Sequence, residues 1–435
     1  MTSLSKKVKI SASVLTAFIL FFIILASEKI AKYGIPLPVG SRHILLLTAL
    51  ILVILFQPNA GISRRYLTGL LIFIIYLILD FIFKDVRGIS FSISFITTTF
   101  FAFIFLFSYS ISISQRTFDS ILTMTVVVIF VALIPALYGV MENGTALRWN
   151  YGLFRGSGPM TSILVLSIIL LLSKFIRNGR RVTLKLAYFL SVIVLLTTIK
   201  KALLSLFIVW FLFYWFSDKN LLKIPKKRYI FIVVILSVPF AYEELAHGFL
   251  NNIYYFQNVG AENHVRLAMY YFGFDLFQEN FPFGRGLGTF GSLGSLIGDV
   301  NSKGILYEFS EVYYQYNLTN IGPNSVENLN SGGKNTFFDT FWPHIIAELG
   351  FVGSLLYLYL WSFPFFRASV GCYSRLQDNN SVSLRFFIVA TFLVVSWEGL
   401  TLATPEMPVI IFFHSFLVGL SLSRLRSNLI GTGSV

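Results

Sequence analysis

Charge is the scarcest ingredient of this sequence: Asp, Glu, Lys and Arg together make up 12% of its 435 residues. A soluble domain carries about twice that share, so a water-soluble fold of this size is excluded. There is a single cysteine, Cys372, which leaves no internal disulfide and no cysteine-rich metal site. Also lacking are an HExxH pattern, a glycine-rich nucleotide loop following a strand, and an Asp-x-Asp pair in a globular segment, which argues against a nucleotide-sugar transferase. Acids are fewer than bases, 20 against 34, for a net charge of +14. Nucleic-acid binding would need those bases on one face, and they are instead spread over short segments between apolar runs. No nucleic-acid partner is expected.

What is abundant is apolar: 56% of the residues are hydrophobic and the mean hydropathy is +0.75. Apolar stretches near spanning length fall at roughly 10–27, 43–57, 66–83, 89–114, 118–140, 159–176, 184–200, 201–217, 229–242, 344–366, 385–401 and 408–423. They predict an all-α polytopic membrane protein of about twelve transmembrane helices with one large loop. The two stretches meeting at Lys200 also read as one long broken helix, so the range is roughly eleven to thirteen. The run after Lys6, Lys7 and Lys9 ends in no small-residue cleavage site and reads as a first transmembrane helix.

The organisation expected is an N-terminal bundle over 1–242 with about nine spans, a large loop over 243–343, and about three more spans over 344–435. Lys and Arg concentrate in alternate connections, which predicts cytoplasmic termini and an external loop. The loop supports this orientation, because it carries ten acids against four bases. Within it, 263–279 contains no proline and repeats Val265, Ala268, Met269, Phe272 and Leu276 at helical spacing, the pattern of an amphipathic helix lying on a membrane surface. Pro282 and the glycines of 281–291 end that helix as a turn.

Ionisable residues at the rims of spans are costly and default to functional candidates. Asp80, Lys200, Lys201, Glu348 and Glu398 all fall on the predicted external side. Hardly any charge is predicted at the midplane, where a secondary transporter places its substrate and ion sites. The alternative for each residue is local pairing or snorkelling.

Three segments together resemble a known family. Arg266 opens the amphipathic helix, Phe281-Pro-Phe-Gly-Arg-Gly-Leu-Gly-Thr-Phe290 follows, and Ala347-Glu-Leu-Gly-Phe-Val-Gly353 comes later. This order resembles the superfamily of O-antigen polymerases (Wzy-type) and O-antigen ligases. Arg148 to Pro159 resembles the family's external Arg and Gly-Phe segment, and Thr197-Thr-Ile-Lys-Lys-Ala202 its Thr-x-Ser-Arg-x-Ala corner. Two departures stand out. Lys200 replaces the corner Arg, keeping charge without the guanidinium fork, and the ligase His-Asn pair is absent, its His position falling on Asp339. The second departure favours the polymerase branch over the ligase, with a lipid-linked oligosaccharide flippase as the reading from another class.

The resemblance implies transfer of a glycan from an undecaprenyl-diphosphate-linked oligosaccharide to a sugar hydroxyl at the periplasmic face of the bacterial inner membrane. It implies neither metal nor cofactor, and its partners are membrane lipids, with a chain-length regulator protein as a further candidate. Such chemistry needs cations for the diphosphate, a base for the acceptor hydroxyl and a surface for sugars. Arg266, Arg285, Arg155 and Lys200 are the candidate cations, Arg266 having Glu262 one turn away as an alternative partner. Asp339 is the candidate base by its position in the family pattern. His344 is the other candidate, by its intrinsic pKa, unless it only caps the following span. Glu348 is expected to orient a neighbour. The loop tyrosines and Trp342 suit stacking on sugars or a membrane-interface belt equally.

Overall fold

The computed structural model describes residues 64–84, 86, 88–110, 113–143, 157–197, 199–217, 273–289, 341–369, 378–400 and 408–431. The expected spans at 10–27, 43–57 and 229–242 and most of the large loop lie outside them. The described residues are almost entirely helical and contain no strand. In chain order the helices are α1 (Arg64–Phe83), α2 (Gly88–Ser110), α3 (Gln115–Asn143), α4 (Ser157–Asn178), α5 (Arg181–Leu196) and α6 (Lys200–Phe216). A helical segment at 273–279, α7, precedes a turn. Then come α8 (Phe341–Ser369) and α9 (Asn379–Glu398). The last helix, α10, joins Pro408–Ile411, a π-helical Phe412–Leu417 and Val418–Gly431. Seven of the helices are long and apolar enough to cross a membrane.

Burial sorts the helices into layers. The spanning part of α4 is 89% buried inside the bundle, whereas that of α1 is 33% buried. α9 sits at the centre, packing on α4, α6, α8 and α10. α1 turns one stripe inward, Tyr66, Leu70, Phe73, Leu77 and Asp80. Its other side shows Leu71, Ile75, Leu79 and Ile82, as expected of a helix with lipid on one side. Small residues let backbones approach where helices cross. A Cβ on Gly69 would lie 2.5 Å from the Tyr359 ring, and one on Gly419 would run into the Ser108 hydroxyl.

The stretch meeting at Lys200 is resolved into two helices. α5 ends at Leu196, Thr197 turns the chain, and α6 begins at Lys200. The two fold back on each other, with Trp210 Nε1 donating to Ser191 Oγ at 3.2 Å and the Trp210 ring stacked on Tyr188. The single stretch expected at 344–366 is longer and is not one helix. α8 begins at Phe341, which places Glu348 two turns inside, and it is broken at Gly350, where φ is +63° and ψ −164°.

Candidate functional site

The break in α8 determines the arrangement around it. An unbroken helix would bond the Phe351 and Val352 amides to the carbonyls of Ala347 and Glu348. Inside a membrane domain, groups released by a break must find partners within the protein. The turn at 280–289 supplies them. The Pro282 carbonyl accepts from the Phe351 amide at 2.8 Å and from the Val352 amide at 3.3 Å. In exchange, the Arg285 amide donates to the Ala347 carbonyl at 2.9 Å and the Gly286 amide to the Glu348 carbonyl at 3.0 Å. The carbonyl of Leu349 accepts from the Tyr76 hydroxyl of α1. Both glycine-containing motifs, distant in sequence, are thus one hydrogen-bonded unit.

This unit requires its glycines. Gly284, at φ +73°, and Gly350, at φ +63°, occupy backbone conformations that side-chain-bearing residues rarely adopt. The Phe281–Pro282 peptide within the turn is cis.

The end of α1 closes over the turn. Lys84 Nζ donates to the carbonyls of Phe283 and Gly284, at 2.8 Å and 2.5 Å. Asp80 pairs with Lys84 at 2.6 Å and accepts the Leu287 amide at 3.0 Å.

His344 and Glu348 lie one turn apart on α8, on one face, and both are buried. The His344 ring meets Phe341 edge-on at 5.0 Å. The start of α8 is tied to the end of α9: the Phe341 amide donates to the Gly399 carbonyl at 3.0 Å, and Trp342 Nε1 to the Ser396 carbonyl at 2.9 Å. Next to that junction is a second buried polar cluster. Glu398 faces Lys201 at 3.9 Å and accepts from the Ser205 hydroxyl at 3.3 Å. Lys201 also donates to the Ser162 hydroxyl of α4 at 3.3 Å.

A belt of polar groups therefore lies at one end of the bundle, with Ser162, Lys201 and Glu398 near the start of α8 and Asp80 and Lys84 at the turn. The opposite end is predominantly basic. There Arg177 pairs with Asp119 at 2.5 Å, Lys174 donates to Thr123, and Arg424 reaches the Ile113 carbonyl and Gln115.

Of the residues singled out from the sequence, Arg285, His344 and Glu348 are brought together by the turn and α8. Lys200 is the first residue of α6. Arg266, Arg155 and Asp339 lie outside the described residues. Lys201, which was not among the candidate cations, joins the buried cluster with Glu398. Its direction is set by the packing phase of α6, which the local sequence does not fix. Lys84 was not singled out at all; its position one turn after Asp80 is the signal that could have found it.

No family model matches the chain, and no curated protein matches it.

Proposed function

We propose that this protein is a polysaccharide polymerase of the O-antigen type, joining undecaprenyl-diphosphate-linked oligosaccharide repeat units at the periplasmic face of the bacterial inner membrane. The observation that carries the reading is the union of the Phe281–Gly288 turn with the Gly350 break, since these are two of the segments on which the family resemblance rests. The belt supports it further by gathering ionisable groups at one end of the bundle, while the basic residues of the other end suit a cytoplasmic face.

In the reaction, an acceptor sugar hydroxyl attacks the anomeric carbon of the donor glycan. A C–O bond forms there, the bond from that carbon to the diphosphate oxygen breaks, and undecaprenyl diphosphate leaves with the bonding electrons. The hydroxyl proton passes to Asp339 or His344. Arg285, with Arg266, Arg155 and Lys200, offsets the charge that develops on the diphosphate. Glu348, one turn from His344, orients its imidazole. The whole apparatus is assembled from the protein's own side chains, with Arg285 held to α8 through its backbone amide.

The test is glycan length, read on gels from cells lacking the gene and complemented with wild type, Arg266→Ala or Asp339→Ala, with expression checked. The expected outcome is single-repeat lipid A-core in the deletion, a restored ladder with wild type, and none with Arg266→Ala. Long lipid-linked polymer that never reaches lipid A-core would make the protein a ligase. Absence of any glycan at the outer face would make it a transporter.

A further inference from the structure

Tyr76 and Asp80 of α1 and Lys84, just past its end, recur every four residues, and all three end on the backbone of the 282–287 turn or of the α8 break. Tyr76 offers its hydroxyl to the carbonyls of Phe283, at 2.9 Å, and Leu349, on either side of the contact between the two segments. Lys84 takes the two carbonyls that precede Arg285, and Asp80 takes the amide two residues after it. With its own amide on Ala347, the Arg285 backbone is fixed from both sides.

A merely adhesive contact between α1 and the turn would not need charge. Asp80 is 6% exposed in a spanning helix whose stripe is otherwise almost wholly apolar, where an unpaired carboxylate is strongly disfavoured. One carboxylate oxygen pairs with Lys84 and the other accepts the Leu287 amide, and this second partner is present only when the turn is seated. Gly286 completes the fit, because a Cβ there would come within 2.9 Å of Val86 and 3.2 Å of Lys84.

We infer that the Tyr76–Asp80–Lys84 stripe is a positioning device that sets Arg285 against the Glu348–Gly350 segment. The role rests on the proposed reading of Arg285 as a diphosphate-holding residue. None of the three touches substrate; each acts through the backbone on which Arg285 and Glu348 are carried.

The experiment has two arms, both on the full chain in native membranes with Cys372→Ser. In the first, Phe281→Cys and Phe351→Cys report the seating of the turn, since those rings lie 6.0 Å apart and both are exposed. Their cross-linking rate should fall about tenfold on adding Lys84→Met or Asp80→Asn, and Lys84→Arg should restore it. In the second, without the added cysteines, transfer between undecaprenyl-diphosphate-linked repeat units is measured for Lys84→Met, Arg285→Ala and the double variant. If Lys84 acts through Arg285, the double variant loses no more activity than Arg285→Ala alone. Unchanged cross-linking overturns the positioning role, and so do losses that multiply in the double variant. A wild type that transfers nothing, with cross-linking behaving as expected, overturns the glycosyltransferase reading while the clamp on the turn stands.

Discussion

Gly284 and Gly350 meet backbone to backbone. A Cβ on Gly284 would lie 2.3 Å from the Gly350 nitrogen, and one on Gly350 would fall against the Gly284 nitrogen. The atoms met are main-chain atoms, which cannot swing aside as a side chain does. Gly350 also holds φ +63° with ψ −164°, a region that essentially only glycine populates.

Gly350→Ala is therefore expected to unseat the turn. Backbone strain alone costs about 1–3 kcal/mol, and the collision adds to it. Gly69→Ala serves as the comparison, because its Cβ would first meet the Tyr359 ring, a side chain that does not hold the turn, rather than backbone. Thermal unfolding of the detergent-purified protein should show a clearly larger fall in Tm for Gly350→Ala. Equal falls would mean that the turn is not seated against the break.

The Lys201–Glu398 pair leads to a prediction of opposite signs. The Glu398 side chain is 1% exposed and that of Lys201 9%. Removing one member of a buried pair leaves an uncompensated charge and costs about 3–5 kcal/mol, whereas replacing both by apolar residues is often neutral or stabilising. Lys201→Met should strongly lower the unfolding midpoint, and Lys201→Met with Glu398→Leu should recover much of the loss. If the double variant is as unstable as the single one, the pair is not the dominant interaction of Glu398.

How much of this was legible in the sequence depends on the range of the interaction that decides each feature. The extent of α1 and the junction near Lys200 follow from apolar run length, and the structure agrees to within a few residues. The break in α8 was not legible. Residues 344–366 read as one predominantly apolar run, Gly350 is a common residue in such a run, and the hydrogen bonds that hold the break come from Pro282, Arg285 and Gly286, far away in the chain. Glycine-rich composition announced a turn there but not what it would plug. The gathering of Asp80, Glu348 and Glu398 at one end was legible from span order, while their partners Lys84 and Lys201 depended on helix phase.

His414 tests whether a polar core residue is present for packing. It lies in the π-helical part of α10, 2% exposed, with its ring stacked on Trp361 at 3.8 Å. Neither ring nitrogen has a hydrogen-bond partner among the described residues. A buried polar group without a partner costs about 1–3 kcal/mol, and an apolar group of similar shape removes that cost. His414→Phe should keep the stack and raise the unfolding midpoint. A fall in the midpoint would show that the nitrogens are solvated or bonded in the membrane-embedded protein.

Arg285 tests the chemistry assigned to the turn. Its amide bond to the Ala347 carbonyl involves no side-chain atom, so substitution leaves the hydrogen bonds between turn and helix in place. A guanidinium presents a planar fork to phosphate oxygens, whereas an ammonium acts as a point charge. Loss of one donor that stabilises a developing negative charge typically lowers turnover by about a hundred- to a thousandfold. Arg285→Ala should thus shorten the glycan ladder to its first rungs at normal expression. Arg285→Lys should restore part of the length, because charge is kept and the fork is lost. A full ladder with Arg285→Ala would move the diphosphate to the other cations, Arg266, Arg155 and Lys200, and would leave the turn a purely architectural part of α8.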